Sequence, residues 1–224
     1  MSAVHPEIQA QIDETTKSAV NDSCKFNILI LGKTGVGKST LINSVFRGEL
    51  AKTGSGRPVT QHTEEISKKG HPITIIDTKG LELQNYEKII GELTEVINER
   101  SEHPDENKHI HVAWLCIHED SRRIEQAEKK LCEMLKEKNI PVVVAITKSR
   151  SDGGFREQVR KALPSAAAVV PVKALTERIS DDGNTITIKE KGLASLIRET
   201  VMLLPEAKQR VYANTLEVRG TTTN

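Results

Sequence analysis

Short runs of continuous apolar residues alternate along this chain with longer stretches in which apolar residues recur every three or four positions. Phe26–Leu31, Ile73–Asp77, His111–Ile117 and Pro141–Ile146 are runs of the first kind, and Ala168–Val172 is a shorter fifth. Each is too short for a helix and is expected as a buried strand. Leu41, Ile42, Val45 and Phe46 fall at helical spacing, as do Ile89, Ile90, Leu93, Val96 and Ile97. The same spacing returns at Ile124, Ala127, Leu131 and Leu135, at Phe155, Val159 and Leu163, and at Leu193, Leu196, Ile197 and Leu204. These stretches are expected as amphipathic helices, with Pro164 and Pro205 as stops.

Smaller features fill the gaps. Glu64–Lys69 suits an edge strand, and Pro141 suits a first strand position. Asp182-Gly183 before the alternating Ile186-Thr187-Ile188 signals a hairpin. Glu102–Lys108 reads as a polar loop, and Gly48–His62, rich in Gly, Pro, Ser and Thr, as a mobile one. Residues 1–25 read as a polar extension with a short helix, 26–204 as one domain, and 205–224 as a tail with a helix over Glu206–Val218. Strands alternating with helices imply an α/β fold: three layers, α/β/α, around a mostly parallel sheet of about six strands with one antiparallel edge strand.

Composition narrows the class of partner. The 224 residues carry a formal net charge of +1 and only 3% aromatic residues, so neither the basic excess nor the stacking platform of a nucleic-acid binder is present. No apolar run approaches the roughly 18 residues of a membrane helix, so no transmembrane segment is expected. The start Met1-Ser2-Ala3 reads as neither a secretion signal nor a lipidation site. Three cysteines, Cys24, Cys116 and Cys132, fit neither a disulfide framework nor a zinc site, and a cytoplasmic location is the expectation. The seven histidines form no metal-ligand spacing, and His109 and His111 at a strand start read as structural. Glu125, Glu128, Lys129 and Lys130 read as a solvated helix face, and Arg122 and Arg123 as exposed.

Ligands of such sheets bind at the carboxyl ends of the strands, and the chemistry-bearing motifs fall there. Gly32-Lys33-Thr34-Gly35-Val36-Gly37-Lys38-Ser39 follows the first buried strand, opens a helix and matches G-x-x-x-x-G-K-[ST]. Its glycines let backbone N–H groups turn toward a β-phosphate, and the helix N-terminus adds its dipole. Lys38 supplies a point charge to the β- and γ-phosphates, and Ser39, next to Thr40, offers a hydroxyl to Mg²⁺. Asp77-Thr78-Lys79-Gly80 ends the second buried strand. Asp77 is placed to hold Mg²⁺ through a water, and the Gly80 N–H to meet the γ-phosphate. Thr60, with Thr63 in reserve, is the candidate to complete Mg²⁺ coordination. Thr147-Lys148 ends the fourth buried strand.

In this order the motifs resemble a TRAFAC-class GTPase G domain, of the Era-like and AIG-type kind, over roughly residues 26–204. The resemblance implies GTP and GDP as ligands with Mg²⁺, hydrolysis, and a conformational switch in which Gly54–Thr63 and Lys79–Tyr86 are ordered by the γ-phosphate. It also implies a base-reading motif [NT]-K-x-D, whose aspartate accepts from guanine N1–H and the 2-amino group. Here Arg150 stands in the aspartate's place, and Asp152, two residues later, is the candidate for that role. Lys148 would lie along the base, and Ala174, after Lys173, would bring a backbone N–H near guanine O6. Leu81 occupies the place of the water-orienting glutamine of many relatives. Turnover is therefore expected to be slow, or to be completed by a homodimer or an activating partner. Gly35 stands where some relatives carry a potassium-recruiting asparagine. Arg57, three residues before Thr60, has the spacing of an arginine finger acting in cis. Two rivals stay open: a GTP-holding module that does not hydrolyse, kept alive by Leu81, and an ATPase, kept alive by Arg150.

Overall fold

A computed structural model of the chain describes residues 26–46, 57–58, 63–68, 73–78, 86–181 and 184–204. The expected helices within 1–25 and 205–224 lie outside the described residues, as do Thr60, Gly80 and Leu81.

Strand β1 (Phe26–Leu31) is buried at every position and leads into helix α1 (Lys38–Phe46). Strands β2 (Arg57–Pro58), β3 (Thr63–Ser67) and β4 (Ile73–Thr78) follow, then helix α2 (Tyr86–Ser101). Strand β5 (Ile110–His118), helix α3 (Gln126–Glu137), strand β6 (Val142–Thr147), helix α4 (Phe155–Ala162) and strand β7 (Ala168–Pro171) continue the alternation. Strands β8 (Glu177–Asp181) and β9 (Asn184–Ile188) form a separate hairpin before helix α5 (Leu193–Met202).

The main sheet runs β2-β3-β4-β1-β5-β6-β7. Strands β4, β1, β5, β6 and β7 are parallel neighbours, and β3 pairs antiparallel with β4. The six long strands match the α/β expectation. The two-residue β2 adds a seventh beyond β3, so β3 is flanked on both sides. Pro141 precedes β6 rather than opening it, and its carbonyl accepts from Ala113 N at 2.9 Å. The Glu102–Lys108 segment carries a 3₁₀ turn, Glu106–Lys108, because the Asp105 carboxylate accepts from Asn107 N at 3.0 Å.

Side-chain alternation along β1 divides the core in two. Ile28 and Ile30 pack with Leu41, Ile42 and Val45 of α1 and with Leu196 and Ile197 of α5. Leu29 and Leu31 pack with Leu93 and Ile97 of α2, Leu131 and Leu135 of α3, and Phe155 and Val159 of α4. Burying each such side chain contributes roughly 1.5–3 kcal/mol. Trp114 Nε1 on β5 donates to Thr200 Oγ1 on α5 at 2.8 Å, which fixes that helix against the sheet. Among the described residues no helix is long and apolar enough to cross a membrane.

Helix α5 reaches the sheet through a glycine. Gly192 precedes α5 with φ +80°, and a Cβ there would lie 2.0 Å from the Pro171 carbonyl oxygen, itself fixed backbone of β7. Gly192→Ala is expected to destabilise the fold by about 2 kcal/mol or more, read as a lowered urea midpoint with unchanged slope.

Candidate functional site

The turn after β1 is set by close approach. Gly32 has φ +144°, and a Cβ on it would sit 2.6 Å from the Cys116 carbonyl oxygen of β5. Gly35 and Gly37 take φ +78° and +103°, conformations that L side chains resist. Helix α1 then starts at Lys38, with Leu41 N donating to Gly37 O at 2.9 Å. Lys38 is only 8% exposed. Its ammonium donates to the loop's own carbonyls, Gly32 O at 2.9 Å and Lys33 O at 3.3 Å. Burial lowers the Lys38 pKa, against the raising influence of Asp77 and then of Cys116. Ser39 and Thr40 follow on the first turn of α1. Lys33 is drawn aside into an ion pair with Glu125.

Asp77 lies at the carboxyl end of β4, beside β1. Burial drives its pKa up to about 6, Lys38 pulls it down, Glu64 pushes it further up, and the Thr78 amide pulls it down. Glu64 is its cross-strand partner on β3. Asp77 Oδ1 and Glu64 Oε1 are buried with no hydrogen-bond partner among the described residues. An orphaned anionic oxygen beside a phosphate loop fits a hard divalent cation that takes oxygen ligands. No group of three His, Cys, Asp or Glu side chains among the described residues could hold a metal alone. The backbone of Arg57 in β2 pairs with that of Glu65 in β3.

The second half of the site closes over the loop from β6. Thr147 Oγ1 lies 2.5 Å from Val36 O and 3.2 Å from Ile117 O. Lys148, at φ +53°, donates to Gly35 O at 3.0 Å and so lies across the loop. A cavity of about 310 Å³ opens here, lined by Gly37 of the phosphate loop and Thr40 of α1, by Thr147 and Lys148, and by Lys173, Ala174 and Glu177 after β7. Such a volume is at the lower end for small-molecule sites. The phosphate loop, Asp77, Thr147, Lys148 and Ala174 are thus on one sheet edge. Asp152 does not line the cavity. Its Oδ1 accepts from Arg156 N at 2.8 Å and caps α4.

Glu119, unremarked in the sequence, builds the loop after β6. It sits on a 3₁₀ turn at the end of β5 and is 1% exposed. Its carboxylate accepts from Ser149 Oγ at 3.1 Å and from the amides of Arg150, Ser151 and Asp152 at 2.5, 3.3 and 2.7 Å. Burial would raise its pKa, but these bonds outweigh it and hold the group below the usual carboxylate range. The sequence offers one signal, an acid two residues beyond the apolar run Val112–Ile117. Glu128 corrects a second expectation. It is buried rather than solvated, because its carboxylate accepts from Glu125 N at 2.7 Å in a capping box. His111 is structural, its Nδ1 accepting from Asn27 N at 3.0 Å.

A phosphate loop, a strand-end aspartate and a Thr-Lys base loop on one parallel sheet define a P-loop GTPase domain of the TRAFAC class. The family model described as 50S ribosome-binding GTPase matches residues 27–148, more than half of the chain, and the chain belongs to that family. It is 38% identical over 81 residues to translocase of chloroplast 108 of Physcomitrium patens, covering 33% of this chain and 8% of that protein. It is 32% identical over 108 residues to human neuronal-specific septin-3, covering 42% of this chain and 30% of that protein. The chain thus spans a minor part of these relatives. Among solved structures it is similar to Toc33 of Arabidopsis thaliana in complex with GDP and Mg²⁺, at TM-score 0.59, 19% identity and coverage of 92% and 95%. It is also similar to a structure from work on chloroplast translocon components atToc33 and psToc159, whose dimerisation is important for their GTPase activity, at TM-score 0.59, 17% identity and coverage of 89% and 91%.

The Asp77 shift has a signed consequence. The folded state binds this proton more tightly than the unfolded chain, so stability falls as pH rises from the ordinary aspartate range through about 6. Asp77→Asn should therefore stabilise the nucleotide-free, metal-free protein by about 2–3 kcal/mol at pH 7.5, with the gain largely gone at pH 4. Urea unfolding at the two pH values checks this, and an equal effect at both would contradict it.

Proposed function

We propose that this chain binds GTP and GDP with Mg²⁺ and hydrolyses GTP slowly, as a conformational switch. The observation that carries the reading is the buried Lys38 ammonium beside the orphaned oxygen of Asp77 at the end of the phosphate loop. Ser39 and Thr60 would hold Mg²⁺ directly and Asp77 through a water. Bound there, the ion neutralises charge on the β- and γ-phosphate oxygens. Lys38 supplies the fixed positive charge on those oxygens, and the amides of Gly35 to Lys38 orient them. The Gly80 N–H and Thr60 sense the γ-phosphate, so its loss releases both segments.

Leucine at position 81 cannot orient a water. We therefore place intrinsic turnover low, on the order of 10⁻⁴–10⁻² s⁻¹, and assign its acceleration to a second copy or another partner. The role of dimerisation in the GTPase activity of the related translocon components supports this. Arg57 is proposed to stabilise transition-state charge in cis. The reading includes a cytoplasmic location, in keeping with the free thiols of Cys116 and Cys132.

Single-turnover GTP hydrolysis across protein concentrations tests the proposal. The expected result is a slow rate that rises with concentration, disappears in Lys38→Ala, and falls at least tenfold in Arg57→Ala. GTP bound but never hydrolysed would favour a holding module. Unchanged turnover in Arg57→Ala would remove that residue from the mechanism.

A further inference from the structure

The cavity beside Lys148 contains a carboxylate that the motif pattern does not assign. We propose that Glu177 is the group that reads guanine in this chain, with Arg150 as the resident occupant that the base displaces. The inference rests on the guanine-nucleotide reading above and deepens it.

Selecting guanine requires an anionic pair of acceptors facing N1–H and the 2-amino group. Arg150 cannot supply acceptors. Asp152 is already committed: its Oδ1 caps α4, its amide is held by Glu119, and its carbonyl accepts from Arg122. Glu177, the first residue of β8, lines the cavity with Lys148 and Ala174. Its Oε1 accepts from Arg150 Nη2 at 2.6 Å, and its Oε2 from Arg150 Nε at 3.1 Å and from Lys173 Nζ at 2.6 Å. Hydrogen bonds from Arg150 and then Lys173 hold it ionised down to about 2, so it is an acceptor at any working pH.

The two cations differ. The Lys173 side chain is 6% exposed and anchors the carboxylate from the protein side. The Arg150 side chain is 43% exposed, and exposed pairs of this kind contribute little to stability. The bidentate Arg150 fork presents two parallel N–H donors on a planar frame. The N1–C2–N2 edge of guanine is itself a guanidine unit with the same two donors. Guanine can therefore take the place of Arg150 on Glu177, bond for bond, while Lys173 keeps the carboxylate in position. Adenine has no donor at N1 or C2, so it would leave the acceptors unpaired and be rejected.

Calorimetry with GDP, xanthosine diphosphate and ADP, in Mg²⁺, tests this on wild type, Glu177→Gln, Asp152→Asn and Arg150→Ala. Glutamine accepts from N1–H and donates to the 2-keto group of xanthine. Glu177→Gln should therefore bind GDP at least about 100-fold more weakly and prefer xanthosine diphosphate, a gain that misfolding cannot produce. Asp152→Asn should keep the wild-type order of bases, and Arg150→Ala should bind GDP more tightly. A switch to xanthosine diphosphate in Asp152→Asn instead would overturn the assignment. So would a loss of GDP affinity in Arg150→Ala matching that in Glu177→Gln, which would put the base on the arginine. Wild type that binds ADP as tightly as GDP is a different result: it would sink the guanine reading itself.

Discussion

A buried ammonium sits where β1 ends, and the rest of the site is arranged around it. Lys38 is buried, which lowers its pKa, while Asp77 lies within Coulombic reach and raises it and the loop carbonyls of Gly32 and Lys33 accept from its ammonium. Those carbonyls converge because Gly32 lies so close to β5 that a Cβ there would meet the Cys116 carbonyl oxygen. Asp77 is nearby because β4 pairs beside β1. At that strand the sheet order reverses, and a crevice at the carboxyl ends follows from topology. A buried lysine, a high-pKa aspartate and an orphaned oxygen together make a site whose electrostatics are balanced by a polyphosphate and a divalent cation.

The base side rests on a different device. A loop that must hold Lys148 at positive φ, with three consecutive amides turned inward, would be costly without an internal acceptor. Glu119 provides one from the 3₁₀ turn after β5, some thirty residues away in sequence. The loop, held in this way, forms one wall of the cavity through Lys148 and Arg150. Ser44 Oγ of α1 reaches Ala174 O at 3.1 Å and ties the opposite wall to the phosphate loop's own helix. Phosphate and base halves are thus mechanically joined through α1 and β5.

Much of this was legible in one dimension. The strands were visible because both faces of a parallel sheet are covered, which writes continuous apolar runs such as Phe26–Leu31. The phosphate loop was visible because its constraint is local: glycines where the backbone turns and a lysine at the helix start. Glu119 and Glu128 were not, because a buried carboxylate satisfied by backbone amides looks in sequence like any exposed acid. In the base loop, counting from Lys148 points to Asp152, while the structure sets a second carboxylate, Glu177, at the cavity, placed by the turn after β7 and held by Lys173. Partners far apart in sequence leave no periodic trace.

A crystal structure of the full chain with GDP and Mg²⁺ tests the central claim most directly, that the Lys38–Asp77 edge is the phosphate and metal site. The account expects a β-phosphate oxygen within hydrogen-bond distance of Lys38 Nζ, and Asp77 facing the metal through a water. A nucleotide bound with its phosphates away from Lys38, or a metal held without Asp77 beside it, would contradict the account.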